Sequence, residues 1–378
     1  MRFVLFLLAA LVAHSAAAQL VPPPPTVAAR AWLLLDHASA QPLASLNADE
    51  RVEPASLTKL MTAYLVFGAL KQGSLKGDQQ IPVSEAAWSA KGSRMFIEPR
   101  KPVTVDELIR GMIVQSGNDA CIALAEAVAG SEEAFVRMMN NEAARLGLKN
   151  SHFMNATGLP DAQHYSTAAD LARLASALIR DFPEFYPIYS IKEYSYNRIT
   201  QPNRNRLLWL DPAVDGVKTG HTEAAGYCLI ASAKRGSRRL LSVVLGTSSD
   251  NMRAQESQKL LNFGFQAFDG VKLYDKGQAV AQPKVFKGTQ GTVRAGFSED
   301  FVLSLPKGMA ERLKVELESR QPLLAPLQQG QRIATLKVFL DVGGEKKPWG
   351  DYPVVALENV PVAGIFGRTW DTIRLWFQ

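Results

Sequence analysis

Between Thr104 and Asp181 apolar residues recur at helical spacing, whereas the apolar runs before and after that block are short and bounded by turn residues. The segments "AWLLLD" (31–36) and "PLASLNADERVEPAS" (42–56) read as two strands joined by a turn. "VDGVKTG" (214–220), "GYCLIASAK" (226–234) and "RRLLSVVLG" (238–246) read as three more. An early strand pair, a helical block and a late group of strands give an α+β order, not an alternating βαβ one. Within the block, "TVDE" (104–107) is a capping box, Ser131 and Thr167 are further N-caps, and Gly130 ends a helix. "LTKLMTAYLVFGAL" (57–70) is apolar all round, as expected of a buried helix. "RAQESQKLLNFGFQAF" (253–268) returns to helix. Beyond about Gly270, "AVAQPKVF", "DFVLSLP", "LKVELE", "QRIATLKVFL" and "DYPVVALENV" are spaced by Gly, Pro and Lys as in an all-β domain. A domain over 29–269 and a β-rich one over 270–363 are therefore expected.

The chain has 378 residues, enough for two cores. Its formal net charge is +6 with no Lys/Arg block, which argues against a nucleic-acid partner. The start, "MRFVLFLLAALVAHSAAAQ", has a basic residue, an apolar run and small residues at Ala16 and Ala18. This is the pattern of an export leader over 1–18, cut after Ala18, with "VPPPP" in a stiff spacer over 19–28. The two cysteines, Cys121 and Cys228, lie in helix-like and strand-like contexts and are expected to be buried free thiols.

Ser56 and Lys59 stand one helical turn apart, just after Pro54. A solvated helix start would look the same, so the pair says little alone. Two further elements follow it in order, Ser116-Gly117-Asn118 and Lys218-Thr219-Gly220. S-x-x-K, S-x-N and K-T-G form the set shared by class A β-lactamases and penicillin-binding proteins. A helix start puts Ser56 and Lys59 on one face, "SGN" breaks two helices, and Gly220 leaves room beside its strand for a substrate backbone. Two similar strings are decoys: "SLPK" (304–307) falls in the β-rich region, and "SDN" (249–251) follows K-T-G. His152 and His164 read as structural histidines, and neither a metal nor another cofactor is expected.

The chain resembles the low-molecular-mass penicillin-binding proteins, the serine-type D-alanyl-D-alanine carboxypeptidases. The resemblance is carried by "EPASLTKLMTAY", "MIVQSGNDACIALAE", "NATGLPDAQHYSTAADLA", "NRNRLLW", "VDGVKTGHTEAAGYCLIASA" and "RAQESQKLLNFGF". Cys228 departs from the polar residue expected there, without touching a catalytic role. The resemblance implies a transpeptidase/β-lactamase-like domain, an antiparallel sheet flanked by helices, then a small all-β domain. It implies peptidoglycan stem peptides as substrates and acylation by β-lactam antibiotics. Ser56 would attack the carbonyl between two D-alanines, with Lys59 as base, its pKa depressed by burial beside Lys218. Ser116 would relay a proton to the leaving D-alanine and Asn118 would hold the substrate amide. The N–H groups of Ser56 and His221 would form the oxyanion hole. Thr219 and Arg253 would meet the substrate carboxylate, although Arg253 reads equally well as a helix-cap arginine. A class A-like β-lactamase lacks a clear deacylating glutamate here; a non-catalytic peptidoglycan-binding protein would not need the intact set.

The tail "IFGRTWDTIRLWFQ" places Phe366, Trp370, Ile373 and Phe377 on one helical stripe, with Arg368, Asp371 and Arg374 opposite and Leu375 out of place. Residues 364–378 could dock on their own domain. Aromatic residues at such a helix favour instead a peripheral lie on the outer face of the inner membrane.

Overall fold

The computed structural model describes residues 21–319 and 321–375; the expected leader lies outside the described residues, as do Trp376 and Phe377 of the tail. Strands β1 (Ala31–Asp36) and β2 (Pro42–Leu46) precede helices α1 (Lys59–Gln72), α2 (Val105–Val114), α3 (Asn118–Ala129), α4 (Glu132–Arg145) and α5 (Ala168–Asp181). Strands β3 (Val214–Thr222), β4 (Gly226–Arg235) and β5 (Arg238–Thr247) and helix α6 (Asp250–Ala267) follow. The early pair joins the late strands in one antiparallel sheet of order β2-β1-β5-β4-β3. The second expected strand is shorter than its apolar run: β2 ends at Leu46 and the chain loops through 47–54.

β1 reads as an unbroken apolar run because both its faces are covered. Leu33 and Leu35 enter the core under the helical block, while Trp32 and Leu34 enter the core under α6. β4 divides likewise, with Cys228 and Ile230 on one side and Leu229 and Ala231 on the other. The sheet is thus the middle of three layers. The Thr104 capping box forms with Glu107, Ser131 and Thr167 cap α4 and α5, and Gly130 closes α3 in the left-handed region at φ 80°.

At Ala267 α6 passes directly into strand β6 (Phe268–Tyr274), which pairs with β7 (Phe301–Pro306). Beyond them β8 (Leu313–Ser319), β9 (Arg332–Val342) and β10 (Glu345–Ala356) form a meander, extended by short strands at Ala295–Gly296 and Ala279–Ala281. Their inward side chains build a second core that includes Leu303, Leu305, Leu336 and Val354. Arg238 fastens the two parts: its guanidinium donates to Asp36 at 2.8 Å, to the Gly264 carbonyl at 3.0 Å and to the Phe268 carbonyl at 2.5 Å. Ser304 of "SLPK" is buried at the same junction, 3.3 Å from Ser39 Oγ. Ser249 of "SDN" caps α6. Both decoys therefore have structural jobs.

Helix α7 (Ile365–Leu375) is docked as well as exposed. Asp371 accepts from the Lys287 backbone N–H at 2.6 Å, and Asp371, Thr372 and Leu375 are half-buried. That explains Leu375, which lies beside Asp371 on the helix. Phe366 and Trp370 remain 93% and 63% exposed, so the aromatic stripe points away from the domain. Among the described residues no helix is long and apolar enough to cross a membrane.

Candidate active site

The three sequence elements meet where α1, the α2–α3 break and strand β3 converge. A single 3₁₀ turn, Ala55–Thr58, leads into α1 and carries Ser56; no side chain caps it. Lys59 opens α1 and is buried. Its Nζ lies 3.0 Å from Ser56 Oγ, 2.7 Å from Asn118 Oδ1 and 2.6 Å from the Thr157 carbonyl. The last two partners only accept, so they claim two N–H bonds. A neutral amine then has its lone pair left for the Ser56 hydroxyl.

Burial pushes the Lys59 pKa down, and Arg204 is the cation that adds to this effect. Lys59 and Lys218 also repel each other, so each charge disfavours the other's protonated form. Lys218 is held well below the ordinary lysine value, by burial first and by the Lys59 charge second. Lys218 Nζ lies 3.0 Å from Ser116 Oγ and 3.0 Å from the Thr219 carbonyl. Ser116 sits at φ 62°, a left-handed residue between helices, which turns it out of α2's path toward Lys218.

Asn118 uses both ends of its amide inside the protein, since Nδ2 donates to the Lys91 carbonyl at 2.6 Å. The next residue, Asp119, accepts from the backbone N–H groups of Met95, Phe96, Ile97 and Ala120 and so pins loop 92–97 over the break. Gly220 has a packing reason beyond substrate access: a Cβ there would come within 3.1 Å of the Pro54 carbonyl and 3.2 Å of Leu57. Any side chain there would push β3 a few tenths of an ångström away from the Ser56 turn.

A cleft of about 460 Å³ opens over Ser56 and Ser116 and is walled by Thr219, Gly220, His221, Tyr227, Arg204 and Arg253, with Gly92 and Ser93 at its lip. Among the described residues no Asp or Glu lines it. Arg253 is buried, and its guanidinium donates to the Gly220 and Cys228 carbonyls at 3.1 and 3.5 Å and pairs with Asp250. Arg204 is exposed and makes no ion pair among the described residues. Sequence reasoning missed Arg204, Tyr227 and the Thr157 carbonyl. Arg204 had a signal in "NRNRLLW", but no local pattern distinguishes its arginine from a surface one. His221 packs against Tyr227 with ring centroids 4.0 Å apart and planes tilted by 34°. Both cysteines are buried free thiols; burial raises Cys121 to about 12 and Cys228 to about 11.

A Ser-x-x-Lys turn whose lysine is buried, facing a second serine–lysine contact on a sheet covered by a helical block, defines a serine acyl-transfer enzyme of the penicillin-binding type. The chain belongs to the D-alanyl-D-alanine carboxypeptidase family, peptidase S11, which matches residues 17–249, and residues 268–362 match the C-terminal domain of penicillin-binding protein 5. It is similar to D-alanyl-D-alanine carboxypeptidase DacC of Escherichia coli, 44% identical over 93% of this chain and 89% of that one. The crystal structure of penicillin binding protein 5 from Haemophilus influenzae superposes with a TM-score of 0.84 at 40% identity, covering 90% of this chain and 99% of that one. Penicillin-Binding Protein D2 from Listeria monocytogenes, solved in its cefotaxime-bound form, superposes at 0.60 with 32% identity over 65% of this chain and all of that one (100%). The chain is thus a serine-type D-alanyl-D-alanine carboxypeptidase, a hydrolase of cell-wall peptides.

Proposed function

We propose that this enzyme trims the terminal D-alanine from peptidoglycan stem pentapeptides through an ester on Ser56, and that β-lactams acylate the same oxygen. The observation that carries this reading is the paired contact, Lys59 Nζ on Ser56 Oγ and Lys218 Nζ on Ser116 Oγ, each at 3.0 Å. Ser56 Oγ bonds to the carbonyl carbon of the penultimate D-alanine while its proton passes to neutral Lys59. The backbone N–H groups of Ser56 and His221 take the oxyanion. The C–N bond breaks as Ser116 hands its proton to the departing D-alanine nitrogen and takes one from the Lys218 ammonium 3.0 Å away. Water then bonds to the acyl carbon, giving a proton through Ser116 back to Lys218. The ester C–O bond breaks as Ser56 Oγ regains its proton from Lys59, releasing the carboxylate product.

The substrate carboxylate is met by Thr219 and by arginine. Arg204 suits direct contact, because Arg253 is already engaged with Asp250 and two carbonyls. Asn118 holds Lys59 and could reach a substrate amide only by exchanging one of its present bonds. The absence of a carboxylate among the cleft's lining residues favours a peptidase over a class A-like β-lactamase, whose deacylation uses a glutamate.

We assign residues 1–18 to an export leader, 29–269 to the catalytic domain, 270–363 to the β-rich domain and 364–378 to a helix resting on the periplasmic face of the inner membrane. The exposed aromatic stripe of α7 supports that placement. Incubation with a muropeptide pentapeptide tests the reaction: free D-alanine plus tetrapeptide is expected, and Ser56→Ala should release neither. A labelled penicillin found on any serine other than Ser56 would overturn the assignment.

A further inference from the structure

Where α7 leans against the β-rich domain, a groove of about 690 Å³ runs between them, lined by Lys287, Ala325 and Val362 of the domain and by Ile365, Arg368 and Ile373 of the helix, with two threonines. Four apolar side chains, Ala325, Val362, Ile365 and Ile373, share its walls with the two cations and the threonines, and exposed apolar residues flank it on both sides. Leu324 and Val362 are 46% and 41% exposed on the domain, and Ile365 is 70% exposed on the helix. A patch this continuous marks a surface that meets something apolar. The charges are as distinctive as the walls. Lys287 and Arg368 form no ion pair among the described residues, whereas Arg374 lies 3.7 Å from Asp371.

We propose that this groove is a site for one phospholipid carrying a net negative headgroup, with its phosphate between Lys287 and Arg368 and an acyl chain along Val362, Ile365 and Ile373. The inference rests on the membrane-surface reading of the tail and goes beyond it. A helix lying on lipid needs no partner from the β-rich domain, whereas this site takes a cation from each. The Lys287 backbone fixes the geometry, since its N–H holds Asp371 and its carbonyl accepts from the Ala363 N–H at 2.8 Å. The two walls are therefore locked together before any lipid arrives, and the ligand need not order the helix itself.

The test uses the mature full-length enzyme and flotation with vesicles of phosphatidylcholine alone or mixed with phosphatidylglycerol. Lys287→Gln keeps the backbone contact to Asp371, and release of D-alanine from a soluble peptide checks that each variant is folded. Lys287→Gln and Arg368→Gln should each weaken binding to the phosphatidylglycerol vesicles by about fivefold. Binding to phosphatidylcholine should be unchanged. Arg374→Gln removes the same charge outside the groove and should leave the preference intact. Equal losses in Arg374→Gln and Arg368→Gln would mean diffuse attraction and overturn the site, as would a wild type with no preference between the vesicles. Stabilisation by inorganic phosphate alone, lost in the groove variants, would make it a free-phosphate site and also overturn the proposal. Failure to bind any vesicle would sink the membrane reading itself, and the groove with it.

Discussion

The Thr157 carbonyl accepts from Lys59 Nζ at 2.6 Å, so a loop nearly a hundred residues downstream in the chain completes the surroundings of the amine next to Ser56. Asn155 shapes that loop, its Oδ1 accepting from the N–H groups of Thr157, Gly158 and Leu159 and from the Thr157 hydroxyl. Rigid acceptors on two sides of Nζ aim the third side at the nucleophile. This preorganisation suits Lys59 to the proposed role of base.

Lys59→Arg should therefore lose acylation by penicillin, because a guanidinium stays protonated in protein surroundings. Lys218→Arg keeps its positive charge beside Ser116 and should retain measurable acylation. Stopped-flow acylation rates decide between the two roles; equal losses would remove the distinction.

The position of Arg204 makes a separate, signed prediction about pH. Its charge pushes both lysine pKa values down, in addition to burial. With Lys59 as the proposed base, acylation needs its neutral form, so the rate should climb with pH through a limb below the ordinary lysine value of 10.5. Arg204→Gln relieves the repulsion, raises the Lys59 pKa and should move this limb to higher pH. The limb's position is the readout, since its height also reflects substrate contact. A limb that stays put would show that Arg204 acts on the substrate alone.

Glycines near the nucleophile separate crowding from backbone strain. Gly158 lies at φ 85° and a Cβ there would fall 1.8 Å from the Ala55 carbonyl, beside Ser56. Gly130 has a similar φ of 80° with nothing within 4 Å. Gly130→Ala should cost about 1–2 kcal/mol in urea unfolding, the left-handed penalty alone, with acylation unchanged. Gly158→Ala should lose a further 1–3 kcal/mol or so from overpacking and lose acylation as well. Similar stabilities for the two variants would contradict the crowding argument.

The local parts of this site were legible in the sequence and the tertiary parts were not. Thr104 with Glu107, Ser131, Thr167 and Gly130 announce helix ends because caps are made by residues three or four apart. The order of the helical block and the strand groups foretold an α+β fold, because period-3.6 and period-2 patterns are also local. Ser56, Lys59 and Lys218 stood out through motif order. What could not be read were contacts made across the fold: the Thr157 carbonyl on Lys59, the Asp119 carboxylate under loop 92–97, and the Pro54 carbonyl that crowds Gly220. A backbone carbonyl has no sequence signature, and an unpaired arginine such as Arg204 looks like any other. The second strand was read too long because "NADERVEP" has no regular alternation to end it.

Arg238 offers a test of how the two parts hold together. The Asp36 carboxylate it meets is buried and also accepts from the Ala38 and Ser39 N–H groups, both at 3.1 Å. Arg238→Met should leave that carboxylate without its cation and free the Gly264 and Phe268 carbonyls, destabilising the enzyme by about 3–5 kcal/mol. The double variant Arg238→Met, Asp36→Leu should recover part of the loss. Calorimetry that finds the single variant as stable as wild type would show the clasp to be dispensable.

The tail can be removed without touching the chemistry. Ser56, Lys59, Ser116 and Lys218 belong to the layers around the first sheet, while α7 is held by Lys287, next to Phe286 of the β-rich domain. The eleven residues of α7 make roughly 16 Å of helix at 1.5 Å per residue, short of the roughly 30 Å hydrocarbon core. It can lie on a bilayer but not span it. An enzyme ending before Gly364 should therefore leave the membrane fraction while keeping its kcat/KM on a soluble D-alanyl-D-alanine peptide within about twofold. Salt should weaken wild-type binding by screening Lys287 and Arg368, without abolishing it, because the aromatic stripe is indifferent to ionic strength. If the truncated enzyme still sediments with membranes, the β-rich domain itself carries the contact. If it loses activity on the soluble peptide, α7 contributes to the catalytic fold and the assignment of a separate anchor is wrong.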